Sequence, residues 1–297
     1  MLPLIFCSGE VMKSVIGIHS NNQAHWVGDG FPVRTLFSYQ SMGELLSPFL
    51  MLDYASSTAF TPSTEAKGIG PHPHRGFETV TIVYKGELAH KDSAGNSGTI
   101  GPGDVQWMTA GAGILHEEMH SAQFTQQGGM LSMAQLWVNL PANQKMTPPG
   151  YQAIEAERIP SIQFENDQGT ARLIAGDHAG LSGPAKTRTA MQVWDLQIKK
   201  GAVISLPAPN YWTAALAILQ GQVKTDKGLA GDASLITYSQ VGADIELSAS
   251  QDTHALFLSG EPILEPIVGY GPFVMNTKAE IALAIDDFNS GQFGRLD

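Results

Sequence analysis

The chain has 297 residues with 28 acidic and 17 basic side chains, and its formal charge of −11 argues against a sequence-independent nucleic-acid binder, which needs a dense Lys/Arg surface. Hydrophobic residues at 43% against 15% charged are enough for a large core and exclude a disordered chain, in a length that suits two ordinary domains or one large one. The 32 glycines and 17 prolines favour short strands joined by tight turns over long helices.

The chain opens on MLPLIFCSGE, a short apolar patch with no basic residue before it and no clear small-residue cleavage pattern after it. It reads as a loose extension ahead of Met12, a candidate start, and not as a secretory signal. Cys7 is the single cysteine, so no internal disulfide or cysteine-based metal cluster forms, as expected in a reducing, cytoplasmic compartment. No apolar run approaches the length that spans a bilayer, so no membrane partner is expected.

From there the chain reads as short β runs separated by glycine turns, the pattern of sandwiches and barrels. Runs occur at Thr79 to Tyr84, Val105 to Thr109, Leu136 to Asn139, Val193 to Ile198 and Ala255 to Leu258. The stretch PANQKMTPPG, Pro141 to Gly150, is the linker candidate and divides the chain into residues 1–145 and 146–297. Near the end, Thr277-Lys-Ala-Glu280 has capping-box spacing, and Ile281, Ile285 and Phe288 follow on one helical face until Gly291. This predicts a C-terminal helix packing its apolar stripe on the sheet.

The two halves are weakly related. Aligning Gly86 with Gly221 sets PHPHRGFETVTIVYKG beside LPAPNYWTAALAILQG, each an apolar strand running into a glycine turn. A duplicated barrel follows. Pro207 and Pro209 then stand opposite His72 and His74, so the second half lacks the histidine pair.

That pair is where chemistry concentrates. In an extended segment, residues two apart share a face, so His72 and His74 can reach one ion. About forty residues on, His116 and Glu118 repeat the spacing with a carboxylate. On adjacent antiparallel strands the two pairs converge to three imidazoles and one carboxylate, a set suited to iron, nickel, copper, manganese or zinc. A lone H-x-H is a weak signal. The joint pattern G-x-H-x-H-x3-E-x7-G, with Glu78 as its acid, followed by G-x-G-x2-H-x-E, is much stronger. His120 lies on the same face and is expected at a pocket rim or satisfied on the surface. His19, His25, His90, His178 and His254 have no partner at metal spacing, and Trp107, Met108 and Met119 read as core.

These two motifs resemble those of the cupin superfamily. The run from Gly70 to His120, with GDGFPVRTLFSY near the start, QLWVNLP at Gln135 to Pro141 and EPIVGYGPFVMNT at Glu265 to Thr277, resembles the pirin family over about residues 28 to 294. The resemblance implies an all-β bicupin: two antiparallel β-barrels with a C-terminal helix and one divalent metal per chain, commonly iron, in the first barrel. The implied ligands are His72, His74, His116 and Glu118. Many cupins use the first-motif acid, here Glu78, but pirin-like sequences use the carboxylate after the second-motif histidine. Glu78 then becomes a supporting group or a salt-bridge partner of Arg75.

The resemblance also implies a quercetin 2,3-dioxygenase-like activity, in which a flavonol and dioxygen react with opening of the central ring. Glu118 would take the proton of the flavonol 3-hydroxyl. It equally allows a metal-containing regulatory protein that binds a transcription complex or a metabolic enzyme.

Overall fold

The computed structural model describes residues 11–296, so Cys7 and the opening stretch lie outside it. The structure is mostly β, as expected, and is built twice over. In the first half a seven-stranded antiparallel sheet runs in the order Gly150–Ile154, Val105–Thr109, Phe77–Lys85, Gly129–Asn139, Phe49–Phe60, Phe31–Ser38, His25–Val27. A four-stranded sheet, Gly68–His74, Ile114–His120, Leu88–Asp92, Ser97–Ile100, closes over it. The second half repeats both orders with Val15–Ser20, Ser234–Tyr238, Thr213–Gln220, Thr253–Gly260, Met191–Ile198, Gly169–Ala175, Ser161–Gln163, and with Val203–Leu206, Ile245–Ala249, Val223–Thr225, Gly228–Ala230. Strand Phe77–Lys85 therefore corresponds to Thr213–Gln220, the alignment expected from Gly86 and Gly221.

Each long sheet takes an edge strand from across the linker. Gly150–Ile154 pairs with Val105–Thr109, and Val15–Ser20 pairs with Ser234–Tyr238. The proposed division between residues 145 and 146 thus leaves each unit with one strand donated by the other. The linker itself is anchored. Lys145 is fully buried, and its ammonium donates to Gly76 O, Asn139 Oδ1 and Val274 O. Burial lowers its pKa to about 7.

Strands such as Phe77–Lys85 are buried on both faces, which is why they read as near-continuous apolar runs. One face of the first long sheet (Val80, Ile82, Trp107, Leu136) meets Val193, Ala215, Leu256 and Leu258 of the second in one shared core. Separate cores fill the barrels: Phe31, Val83, Leu88 and Met133 in the first, Trp194, Leu216, Leu247 and Phe257 in the second.

The predicted helix forms over Lys278–Asn289, with Thr277 Oγ1 accepting from Glu280 N. Glu280 reaches back to Asn276 N, one residue before the cap. Its apolar stripe does not lie on a main sheet. Ile281 and Ala284 are buried against the hairpin strand Phe273–Met275 and Phe293, with Leu115 packed alongside, and Phe288 stays 37% exposed. Leu115 alternates with His116, so this C-terminal segment covers the outer surface of the sheet that carries the histidines. Arg75 fastens it, donating to Ala112 O at 2.6 Å and to Asp287 at 2.8 Å with its guanidinium over the Phe293 ring. A Cβ at Gly113 would stand 2.5 Å from that ring, so only glycine permits the approach.

Because the shared core and both edge strands cross the division, residues 146–297 made alone should aggregate, while the two halves co-expressed should associate into a folded complex. Size-exclusion chromatography checks this. A soluble, monomeric, cooperatively melting 146–297 fragment would contradict it.

Candidate metal centre

The strand Ile114–His120 pairs antiparallel with Gly68–His74, placing His116 directly across from His72 and Ile114 across from His74. Directly opposed residues project to one side of the pair, and burial alternates along Ile114–His120 as that geometry requires. The three imidazoles therefore meet inside the barrel, with ring centroids 4.1 to 4.9 Å apart. One nitrogen from each lies within 4.8 Å of the others. Among the described residues this is the one set of three or more His, Cys, Asp or Glu donors gathered closely enough to hold an ion.

His74 and His116 are 5% and 1% exposed, while His72 is partly open to solvent. His72 Nδ1 donates to Gly70 O at 2.8 Å, which leaves Nε2 with its lone pair for an ion. His74 Nδ1 and both nitrogens of His116 have no hydrogen-bond partner among the described residues. Burial holds His74 and His116 well below the ordinary imidazole range, and the neighbouring histidines push them the same way. Neutral, desolvated and unpartnered imidazoles fit a bound cation. Each lone pair gains a ligand bond, and an orphaned buried nitrogen otherwise costs about 1–3 kcal/mol.

The structure places Glu118 two residues along the same inward face but outside that set. Its carboxylate accepts from Thr81 Oγ1 at 2.9 Å and from Gln135 Nε2 at 2.8 Å. Thr81 and Gln135 are opposite each other in register, with Asp53 next in the row. Glu78 is three positions before Thr81 on one strand, so the pleat sends it to the other face. There Thr109 Oγ1 donates to it at 2.6 Å, its second oxygen is unpartnered, and burial raises its pKa. It does not pair with Arg75, whose carboxylate is Asp287. His120 is not a surface or rim residue either. It is buried, with Nε2 against Gly30 O and its ring edge-on to Phe60 and Phe124.

Sequence reasoning missed the polar groups around Glu118. Thr81 was legible from the alternation in ETVTIVY, which puts Thr79 and Thr81 on one face and Val80 and Ile82 on the other. His90 lies directly opposite Glu118 and its ring is stacked on Tyr151, but nothing in LAHKD marks it. His254, which has no acid at ligand spacing, finds Asp195 in space at 2.6 Å. In the second half the counterpart of Ile114–His120 is Ile245–Ala249, whose inward residues are Ile245, Leu247 and Ala249.

Residues 30–138 match the family model described as Pirin, and residues 193–294 match the Pirin C-terminal cupin domain. The chain belongs to the pirin family. A Pseudomonas aeruginosa protein provisionally named a quercetin 2,3-dioxygenase is 50% identical to it, over 96% of this chain and 99% of its own length. Human pirin is 34% identical over 96% of this chain and 95% of its own. Among solved structures, a quercetin 2,3-dioxygenase from Acinetobacter baumannii superposes with a TM-score of 0.94 at 52% identity, covering 97% of this chain and all of the other. As a pirin, this chain carries its histidine cluster in the first of two cupin barrels. No helix among its described residues is long and apolar enough to cross a membrane.

His74 and His116 are held neutral in the fold and titrate near about 6.5 once unfolded. As pH falls, the unfolded chain takes up protons first, so the metal-free pirin should lose stability below about pH 6.5. Melting temperatures of chelator-treated protein from about pH 8 to about pH 5 should fall, with a flatter slope in His74→Ala/His116→Ala. An identical slope in the double variant would contradict the assignment.

Proposed function

We propose that this pirin is a metal-dependent dioxygenase acting on flavonols such as quercetin, with one divalent metal, iron foremost, held by His72, His74, His116 and Glu118. The observation that carries the reading is the cluster of three imidazoles, two of them buried with unpartnered nitrogens among the described residues, beside a carboxylate already oriented by two donors. The likeness to the Acinetobacter enzyme supports the substrate class. The lone Cys7 supports a cytoplasmic location.

A metal bound there supplies Lewis acidity toward an enol or phenol oxygen and redox chemistry with dioxygen. The protein's own residues do the rest. His72, partly exposed, is the side from which a substrate arrives, while His74 and His116 form the buried wall. Glu118 takes the proton of the flavonol 3-hydroxyl on a carboxylate oxygen. Thr81 and Gln135 fix the direction of that oxygen, so it needs no reorganisation when the proton arrives. Trp137, its ring 5.4 Å from that of His74, and Phe77 give the site an apolar flank that limits water.

A second reading, a metal-containing regulator that binds a protein partner, is favoured by one observation. The space beside Glu118, lined by Phe31, Val33, Asp53 and Gln135 among others, amounts to about 10 Å³, far below the several hundred typical of a ligand pocket. In the enzymatic reading the flavonol rings sit toward His72, and only the oxygenated edge reaches in to the metal and Glu118.

Elemental analysis of protein purified without chelators should give one metal per chain, lost in His72→Ala/His74→Ala, which stays folded. Glu118→Gln should keep most of the metal and lose about a hundredfold or more in flavonol consumption under oxygen. Glu78→Gln, on the far face, should stay within about threefold of wild type. Full activity in Glu118→Gln would remove the base from this scheme. An inactive but metal-loaded wild type would leave the regulatory reading.

A further inference from the structure

One histidine inside the first barrel is not used by the centre described above. His90 is 5% exposed and faces inward, directly across from Glu118, on the strand that flanks His116. Its Nε2 lies 2.5 Å from the Tyr151 hydroxyl, and the two rings stack at 4.6 Å. Tyr151 comes from the strand that returns across the linker. It ends a row in register, Trp137–Thr79–Met108–Tyr151, that starts beside His74.

The phenol has no other partner among the described residues. Of the two tautomers this contact allows, the one in which the phenol donates to His90 Nε2 gives the phenol proton a partner and leaves the imidazole proton on Nδ1. Nδ1 is buried and has no acceptor among the described residues. The carboxylate of Asp92, the nearest acid along the strand, is taken up by Ala94 N, Asn96 N and Asn96 Nδ2. The stack on Tyr151 and the contact of Nε2 with its hydroxyl hold the ring in this orientation. In that tautomer the barrel presents an unmet N–H donor on the inward face it shares with Glu118 and His116.

We propose that His90 Nδ1–H binds an oxygen of the ligand held at the three-histidine centre, a carbonyl or ionised oxygen of a vicinally oxygenated aromatic, with Tyr151 as the positioning residue that sets the tautomer. The ligand class rests on the dioxygenase reading; the donor and its orientation rest on the geometry alone. A cation is the wrong occupant for this position, since a donor N–H repels it. An oxygen-rich ligand satisfies donor and metal together.

The test is anaerobic titration of metal-loaded protein with quercetin, followed by the shift of its visible absorption, so that binding is read without turnover. His90→Leu should bind about tenfold more weakly, the size of one hydrogen bond. His90→Asn, whose amide N–H stands where Nδ1 was, should recover to within about threefold of wild type. Tyr151→Phe, which frees the tautomer but keeps the stacked ring, should fall between them. Metal content is expected unchanged in all three. If His90→Leu misfolds, the Asn and Phe variants still decide. If wild type binds quercetin and both Tyr151→Phe and His90→Asn match it while His90→Leu does too, His90 carries no ligand contact and only the dioxygenase reading survives. If metal-loaded wild type does not bind quercetin, both readings fail together.

Discussion

Residues directly opposed in an antiparallel pair stand with their Cβ atoms about 5 Å apart and project to one face. The first barrel depends on that rule at one place, where His116 sits across from His72. A slip of one residue would turn His116 out and Leu115 in, dissolving the cluster. Much of the surrounding structure holds this register. Leu88–Asp92 pairs the other edge of Ile114–His120, the C-terminal helix and Phe293 press on its outer face, and Arg75 pins that segment through Ala112 and Asp287. Lys145 ties the linker to Gly76, two residues past His74, and to Val274 of the covering hairpin. The second half supplies the helix and hairpin, and its own barrel is packed with Trp194, Phe257 and aliphatic side chains. The repeated strand orders show how a duplicated fold divides its labour, with one barrel holding polar donors and the other packed by its apolar core.

Such an interior is expensive before a ligand enters. Imidazoles are desolvated, several of their nitrogens have no partner, and Glu118 is kept in place by donors that could serve elsewhere. The inward polar row Asp53, Gln135, Thr81 sits where a purely structural barrel would place valine or leucine. A fold that tolerates this has its stability elsewhere, in the shared core between the barrels. That separation lets the site be tuned for chemistry while Val80, Ile82, Val193 and Leu256 hold the molecule together.

Much of this was legible in the sequence. The strands and the helix with its Thr277–Glu280 cap follow from local periodicity and spacing, the duplication from aligning the two halves, and the pairing of the two histidine motifs from their resemblance to a family pattern. The rest depended on contacts that spacing does not encode. Tyr151 is a linker-edge residue in the sequence and becomes an interior one because its strand returns to the first sheet. His90 has no motif and gains its position from the strand next to it. Arg75 looked ready to pair with Glu78, three residues away, but the pleat separates them, and Asp287 reaches Arg75 from more than two hundred residues on. The helix was foreseen but not its surface, because a stripe of Ile281, Ile285 and Phe288 says that something apolar is covered without saying what.

The proposed ligands of the single ion are three histidines, with Glu118 poised beside them. X-ray absorption at the metal edge of the loaded protein tests this assignment most directly, since imidazole rings produce outer-shell scattering that carboxylates and water do not. Wild type should show three imidazoles in the coordination sphere, falling to two in His116→Ala. A spectrum fitted by one or no imidazole, or one unchanged when His116 is removed, would contradict it.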